Sequence, residues 1–160
     1  MPEKCTPDKP ITPTGKNCMQ DFTTRNASWN EDKAAIAHVR HIVFVEGQNV
    51  PSSIESDEFD QSSWYVLAES AAGAPIGCAR LQPNSKVTRI AVLNEYRRQG
   101  IARQMLADVI KIANRQQMTS LYLHAQITAI DLYKQFGFVQ SGEQFEEAGI
   151  QHIKMTWSSG

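Results

Sequence analysis

One short run in the chain, Arg97-Arg98-Gln99-Gly100-Ile101-Ala102, combines two basic side chains with a glycine just before a helical pattern. A β-branched segment, 86–93, precedes this run, and apolar residues at helical spacing follow it. A helix that begins at such a turn presents free backbone N–H groups and the positive end of its dipole, and Gly100 leaves room for close approach. The run therefore predicts an anion site, with phosphate as the anion, although a turn with a purely structural role has the same pattern.

Charged residues are distributed unevenly on either side of position 80. Between positions 41 and 79 there is no Lys or Arg, and six residues are acidic. Between positions 80 and 115 the balance reverses, with eight basic residues against two acidic ones. The first segment would attract a cation and the second a polyanion, and the alternative is that both are solvated surface.

Predicted strands and helices alternate along the chain, and they would position the turn at 97–102 and the acidic segment. Strands are predicted over 20–26, 64–69, 75–81, 86–93, 120–125 and 150–157. Helices are predicted from a capping box at Ser28 to about Val45, over the residues after Gly100, and over 127–136, where Gly137 ends the helix. Residues 47–62 are predicted to form a loop that can hold a helical turn. This order indicates a mixed sheet covered by helices, of class α/β or α+β.

Length and composition indicate a single globular domain. A chain of 160 residues, of which 41% are hydrophobic, can bury one core, and we assign the domain to residues 19–160. Residues 1–18 hold four of the seven prolines and are predicted to be a flexible extension.

Charge and hydropathy argue against several classes of partner. A net charge of −1 gives no bulk attraction to nucleic acid. No segment approaches the roughly 20 apolar residues of a membrane helix, and the N-terminus lacks the apolar core of a signal peptide. Three cysteines are too few for a disulfide framework. We therefore expect a cytoplasmic protein without nucleic-acid or membrane partners.

Two signatures, in order and at a typical spacing, resemble a known superfamily. The strand Arg89-Ile90-Ala91-Val92 with the run 97–102 resembles the acyl-CoA-binding motif of the GNAT superfamily of N-acyltransferases. A second group of segments resembles another signature of that superfamily. It consists of Leu123-His124-Ala125-Gln126, then Ala129, then Leu132-Tyr133-Lys134-Gln135-Phe136-Gly137-Phe138.

Three further segments are similar to the ElaA-like bacterial subgroup of that superfamily. They are 44–51, Glu55-x-Asp57-x-x-Asp60, and Phe145-x-Glu147-x-Gly149-Ile150-x-His152-x-x-Met155. The resemblance covers about residues 20–157. The chain departs from the subgroup at Gly47, where Glu is usual, and at Trp64, where His is usual.

The resemblance implies both a fold and an activity. The fold would be a single GNAT-type α/β (α+β) domain with a mixed, mostly antiparallel sheet of six to seven strands, flanked by helices, whose splayed central strands form the cofactor cleft. The activity would be transfer of an acetyl group from acetyl-CoA to a primary amine of a small molecule or peptide, by direct attack in a ternary complex. No metal is implied, and homodimer formation is left open.

The resemblance also implies which residues hold the cofactor. Backbone N–H groups of the turn would bind the pyrophosphate, and the strand backbone would pair with the pantetheine arm. The amide of Gln126 would add a hydrogen bond, where the superfamily often has Asn. The cofactor-binding set is therefore Ile90, Ala91, Val92, Arg97, Arg98, Gln99, Gly100, Ile101, Ala102 and Gln126.

Catalytic and acceptor residues follow from the same resemblance and from the chemistry of amines. Tyr133 matches the superfamily position whose hydroxyl donates to the thiolate leaving group, and the alternative is a core Tyr with a solvated tip. An alkylammonium must lose a proton, and the acidic 46–60 loop offers carboxylates; we select Glu46 as the base, with Glu55, Asp57 and Asp60 as alternatives. The acceptor-binding residues are predicted to be Asp57, Asp60 and Trp64.

The remaining His and Cys residues are interpreted as structural. His38 and His41 lack further metal ligands, and Cys78 lacks an activating partner. His124 and His152 lie in predicted strands as satisfied structural side chains, although His124 could act as a base beside the cofactor strand.

Two other functions use the same features. Gly47 and Trp64 favour a non-catalytic acyl-CoA sensor or interaction module, which would keep the cofactor site without turnover. A nucleotide-binding protein could use the phosphate turn alone.

Overall fold

The computed structural model describes residues 21–160, in which seven strands form one sheet. The strands are β1 (Phe22–Ala27), β2 (Trp64–Ser70), β3 (Pro75–Leu81), β4 (Lys86–Val92), β5 (Ser120–Gln126), β6 (Val139–Glu147) and β7 (Ile150–Ser158). The helices are α1 (Trp29–Arg40), α2 (Ser52–Glu55), α3 (Ile101–Arg115) and α4 (Ile130–Lys134). The predicted extension 1–18 lies outside the described residues.

The sheet is mixed and mostly antiparallel, as predicted, with the order β1-β2-β3-β4-β5-β7-β6. Only β4 and β5 run parallel. Strand β6 was not predicted from the sequence, because eight of its nine residues are exposed at the sheet edge and it lacks an alternating apolar pattern. It pairs with β7 on one side only.

Helices cover the two faces of the sheet. The apolar stripe of α3 packs on one face, where an added Cβ at Gly77 would lie 3.2 Å from the Met105 side chain. Side chains alternate along a strand, so Arg80 on β3 points to the opposite face, on which α1 packs. The core between these layers is apolar and includes Ile36, Val66, Leu67, Leu81, Met105, Leu106 and Leu121.

The start of α1 is capped as predicted, with one difference. The Ser28 hydroxyl accepts a hydrogen bond from the Glu31 backbone N–H at 3.2 Å. In turn the Ser28 backbone N–H donates to the Asp32 carboxylate rather than to the Glu31 carboxylate. The helix continues beyond Arg40 as a π-helical segment, His41–Glu46, so the predicted end near Val45 is confirmed.

The two parallel strands separate soon after they begin. Their pairing is confined to Lys86↔Tyr122 and Val87↔Leu123. Beyond this point β4 bulges at Arg89, which has a positive φ of 55° and lies where the register with β3 shifts. The diverging strands open a V-shaped cleft in the middle of the sheet, which confirms the predicted splay.

Among residues 21–160, none of the helices is long and apolar enough to span a membrane.

Candidate active site

The V-shaped cleft between β4 and β5 is a cavity of about 690 Å³. One wall is β4 with the end of the π-helical segment and α2; the other is β5 with α4 and the β6–β7 hairpin. Of the predicted site residues, the cleft walls contain Asp57, Ile90, Ala91, Val92, Arg97, Ala102, Gln126 and Tyr133. The fold therefore gathers most of the predicted cofactor site into one cavity.

Backbone groups are exposed along the β4 wall. From Thr88 to Val92 the edge that faces β5 has no strand partner, because the two strands have already diverged. The side chains of Ala91 and Val92 are buried, and that of Ile90 packs against the core. This edge can therefore pair with an extended, amide-containing ligand while its side chains stabilise the fold.

The turn before α3 lies at the open end of the cleft. Gly100 has a φ of 85° and is the N-cap of a 15-residue helix, and no side chain caps that helix end. The first N–H groups of an α-helix have no intrahelical acceptor, so this end can bind an anion. Arg98 also has a positive φ, of 62°, which tightens the turn.

The two arginines of the turn differ in their surroundings. Arg97 folds back, and its Nε donates to the Val92 backbone oxygen at 3.0 Å. Arg98 is exposed, and its side chain is outside the cleft walls. Gln99, Gly100 and Ile101 are also outside the walls, and Ile101 is buried in the core.

Tyr133 on α4 lies in the wall with its ring buried. Its ring makes an edge-to-face contact with Phe138 at a centroid distance of 6.0 Å. Burial raises the pKa of Tyr133 to about 12. The phenol is therefore protonated at neutral pH and can donate a proton or a hydrogen bond to a group in the cleft.

Gln126 connects the two walls of the cleft. Its Nε2 donates to Oε1 of Gln48 at 3.1 Å, which joins the end of β5 to the segment after the π-helical turn. Both side chains line the cavity.

Three arginines hold three carboxylates, Glu55, Asp57 and Asp60, in one connected ion-pair network. Arg40 contacts Glu55 at 2.6 Å and Asp60 at 2.7 Å, and both carboxylates are buried. Arg80 contacts Asp60 at 2.7 Å and makes a two-pronged pair with Asp57 at 2.7 and 2.9 Å. The third arginine, Arg89, contacts Asp57 at 3.3 Å.

This arginine network changes the acidity of the loop. Burial raises the pKa of Asp57, but the hydrogen bonds and charge of Arg80 outweigh burial and lower it overall. The pKa of Asp60 is lowered in the same way, with Arg40 as the main partner. Carboxylates of lowered pKa are weak bases, so the network is better suited to fixing the cleft wall than to accepting a proton.

Three predicted catalytic and acceptor residues lie outside the cleft walls. The Glu46 side chain is 63% exposed, and its carboxylate is 4.0 Å from His41. Asp60 is buried within the arginine network, and Trp64 at the start of β2 packs against the core. The direct roles predicted for Glu46, Asp60 and Trp64 stay predictions, to which the geometry lends no support.

Several polar side chains in the cleft were not selected as site residues, among them Lys86, His124, Glu147 and His152, although His124 had been named as a possible base. Glu147 contacts His124 Nδ1 at 3.2 Å and lies 3.9 Å from His152 Nε2. Glu147 and His152 are present in the motif that resembles the ElaA-like subgroup, so the motif contained the signal, but their contact with His124 depends on the β5–β7–β6 pairing.

No group of three or more His, Cys, Asp or Glu side chains within residues 21–160 is arranged to hold a metal ion. Cys78 is buried, and burial raises the pKa of its thiol to about 12, which agrees with the predicted core role.

A mixed sheet split between two parallel strands, with a helix N-terminus at the open end, defines the acyl-CoA N-acyltransferase fold. The acetyltransferase (GNAT) domain model matches residues 32–159, and the chain belongs to this family of acyltransferases. The predicted fold and the GNAT resemblance are confirmed.

Individual relatives agree with this assignment. The chain is 33% identical to the uncharacterized N-acetyltransferase YjcF of Bacillus subtilis over 131 residues, which cover 79% of this chain and 93% of that protein. Escherichia coli ElaA has a similar fold, with a TM-score of 0.74 and 23% identity over 84% of this chain and 98% of that chain. A GNAT acetyltransferase from Elizabethkingia anophelis, solved with acetyl-CoA bound, has a TM-score of 0.66 at 21% identity, over 86% and 97% of the two chains.

Proposed function

We propose that this protein transfers an acetyl group from acetyl-CoA to a primary amine of a small molecule or peptide, by direct attack in a ternary complex. The observation that carries the proposal is the split between β4 and β5, with the uncapped N-terminus of α3 at its open end. The acetyl-CoA-bound relative supports this choice of donor.

The donor would lie along the β4 wall. Backbone N–H groups at the start of α3 would bind its pyrophosphate, and Arg98 would add positive charge from the rim. The open edge from Thr88 to Val92 would pair with the amides of the pantetheine arm. In the same complex, β4 N–H groups would polarise the thioester carbonyl, which accumulates negative charge during attack.

Tyr133 would act on the leaving group. Departure of the thiol places negative charge on sulfur, and a phenol whose pKa is about 12 remains protonated and able to donate. Its burial beside Phe138 holds the ring in one orientation. The proposal is that the phenol proton passes to sulfur as the carbon–sulfur bond breaks.

The amine needs a proton acceptor. An alkylammonium with a pKa of about 10.4 is neutral in only on the order of one molecule in a thousand at pH 7. Glu147, whose side chain is 49% exposed in the cleft wall, would attract such a cation, whereas Asp57 and Glu55 are already paired with arginines. The second candidate function, an acyl-CoA sensor without turnover, remains favoured by Gly47 and Trp64, which depart from the subgroup pattern.

Thiol release distinguishes these functions. The purified chain is mixed with acetyl-CoA and a panel of polyamines, amino sugars, amino acids and peptides, while acetyl-CoA binding is measured separately by calorimetry. We expect acetyl-CoA binding and thiol release with at least one amine. Binding without release across the panel would support the sensor, and protection against thermal unfolding by ATP but not by CoA would support a nucleotide-binding protein.

A cytoplasmic location and formation of a homodimer stay predictions. Size-exclusion chromatography with light scattering tests the second.

A further inference from the structure

Three titratable side chains meet on the cleft wall formed by β5, β6 and β7. Glu147 Oε1 lies 3.2 Å from His124 Nδ1, and Glu147 Oε2 lies 3.9 Å from His152 Nε2. The ring of Phe145 packs between the two histidines, at 4.9 Å from His124 and 5.9 Å from His152. The two histidines therefore flank one carboxylate, around a shared aromatic ring.

The hydrogen bonds define what each nitrogen can do. An ionised carboxylate only accepts hydrogen bonds, so His124 Nδ1 carries the hydrogen that Glu147 accepts. In a neutral imidazole, Nε2 then keeps a lone pair. His152 differs because its Nδ1 donates to the Ile150 backbone oxygen at 2.7 Å, and its side chain is only 9% exposed. His124 is more accessible, with its side chain 25% exposed.

His124 lies at the closed end of the cleft. The last pair between the parallel strands is Val87↔Leu123, so His124 is the first residue of β5 beyond the split. The start of α3 is at the opposite end, and the intervening edge from Thr88 to Val92 is about 13 Å long at the usual rise per residue. A donor whose pyrophosphate lies at α3 would therefore extend its acyl end towards His124, a step that rests on the proposed function.

The carboxylates on the opposite wall are already paired. Asp57 and Glu55 each neutralise buried arginines of the network, and Asp57 has a lowered pKa. Glu147 by contrast is 49% exposed and has His124 as its nearest partner. His124 is thus oriented by the Glu147 carboxylate, and its Nε2 remains as a basic atom in the cleft.

We propose that His124 Nε2 is the general base for the acceptor amine, with Glu147 and His152 as positioning residues. The acceptor attacks as the neutral amine, after its ammonium proton has passed to solvent; as the nitrogen bonds to the thioester carbon, the one further proton that it loses passes to His124 Nε2. The carbon–sulfur bond then breaks, and sulfur takes the Tyr133 proton. The imidazolium returns its proton through water to the Tyr133 phenolate, so the products are an N-acetyl amide and free CoA thiol.

Several charged or titratable groups face His124. They are Glu147 on β6, His152 and Lys154 on β7, Tyr122 on β5, Lys86 on β4, and Asp57 and Arg89 across the cleft. The test therefore compares variants at one neighbour at a time rather than depending on a single pH profile.

The first experiment measures kcat, KM and their pH dependence for wild type, His124→Gln, Glu147→Gln and His152→Gln, using an amine identified by the panel. We expect His124→Gln to lower kcat by about 10²- to 10⁴-fold with the Kd for acetyl-CoA within about twofold of wild type. The fall of the wild-type rate towards acid, where a histidine base is protonated, should be lost. Glu147→Gln and His152→Gln should cause smaller losses of kcat.

A less basic analogue of the same amine separates a base from a structural residue. Such an acceptor is already neutral at the assay pH and loses its proton more easily. The decrease in kcat caused by His124→Gln should therefore be smaller with it than with the basic amine. His38→Gln, on the exposed side of α1, is the matched control and should behave as wild type. Circular dichroism and acetyl-CoA binding report whether each variant is folded.

The outcomes separate the two proposals. A wild-type kcat in a folded His124→Gln variant overturns the role of His124 and leaves the proposed function intact. An equal loss with basic and less basic amines also overturns it, since a structural defect would not distinguish them. A wild-type chain that binds acetyl-CoA but releases no thiol overturns the proposed function, and the role of His124 with it.

Discussion

Tyr133 is the residue whose surroundings are most directly related to the proposed chemistry. Its hydroxyl has a pKa raised to about 12 by burial, which favours the protonated donor at every pH at which most enzymes act. The edge-to-face contact with Phe138 is one that the ring of a phenylalanine at position 133 would also make. The donor function can therefore be removed while the packing is kept.

Tyr133→Phe should lower kcat by about 10²-fold or more, because the thiolate loses its proton donor, with little change in the Kd for acetyl-CoA. Steady-state thiol release between pH 7 and 10 measures this. The pKa of about 12 predicts that the defect persists across that range rather than vanishing towards alkaline pH. Activity of Tyr133→Phe equal to wild type would show that water protonates the leaving group.

The residue scale also shows where sequence reasoning was incomplete. Residue types in the motifs indicated a cofactor turn, a Tyr donor and acidic candidates for the base. They did not indicate that Asp57 and Asp60 neutralise arginines, because the partners are 20 to 32 positions apart along the chain. The contact between His124 and Glu147 spans 23 positions, and strand pairing alone brings it about.

At the scale of elements, the turn into α3 sets the open end of the cleft. Gly100 adopts a φ of 85°, which L-residues with a Cβ adopt at a cost, yet an added Cβ would have no protein atom within 4 Å. Gly73 in the β2–β3 hairpin has a φ of 84° and the same free space. The two glycines therefore provide a matched pair for separating backbone strain from ligand contact.

Gly100→Ala should weaken acetyl-CoA binding by tenfold or more, because a methyl group would lie where the backbone approaches the pyrophosphate. Gly73→Ala carries similar strain, about 1 kcal/mol in each case, and should leave the Kd unchanged. Calorimetric titration with acetyl-CoA, together with thermal unfolding of both variants, makes the comparison. Equal effects of the two substitutions on the Kd would contradict a pyrophosphate site at this turn.

Elements were predicted with unequal success, for physical reasons. The central strands and α3 are buried on one or both faces, and burial leaves an alternating, continuous or helical apolar pattern in the sequence. Strand β6 is an exposed edge with polar residues on both faces, so its sequence, Val139–Glu147, carries no such pattern. The short α4 and the π-helical segment arise from local packing and were predicted only as parts of longer helices.

At the scale of the whole molecule, the arginine network joins α1, α2 and the loop that follows it, β3 and β4. Arg40 and Arg80 are each 1% exposed, and their charges are balanced by buried or partly buried carboxylates. Removing one partner from such a network leaves an uncompensated charge in the interior. The network therefore holds α2 and the loop that follows it against the sheet, on the β4 side of the cleft.

Arg40→Met should lower the free energy of unfolding by roughly 3–5 kcal/mol, because Glu55 and Asp60 lose their partner. Arg25→Met is the matched control: Arg25 also pairs with two carboxylates, but its side chain is 44% exposed, so the expected cost is about 1 kcal/mol or less. Urea unfolding measures both. Similar decreases in the free energy of unfolding for Arg40→Met and Arg25→Met would contradict the conclusion that the buried network stabilises the fold more than an exposed pair does.

The same network predicts an acid limit to stability. The folded-state pKa values of Asp57 and Asp60 are lowered, so their contribution is present above the ordinary carboxylate value of 3.8 and is lost as the pH falls through the folded values. Stability should therefore decline below about pH 4, and less steeply in Arg40→Met, where Asp60 has lost its main partner. A set of urea unfolding curves from pH 7 to pH 3 measures this decline.

Local periodicity and short motifs were enough to predict the class of fold, which is confirmed, and to select the turn at 97–102 and Tyr133 as site candidates, which stay predictions. Tertiary structure decided which polar groups meet in the cleft. Glu46 lies outside the cleft walls, and Asp60 is enclosed by arginines. His124 on β5 contacts Glu147 on β6, with β7 between the two strands. Strand order and register set these distances, and they depend on the packing of the whole sheet rather than on spacing along the chain.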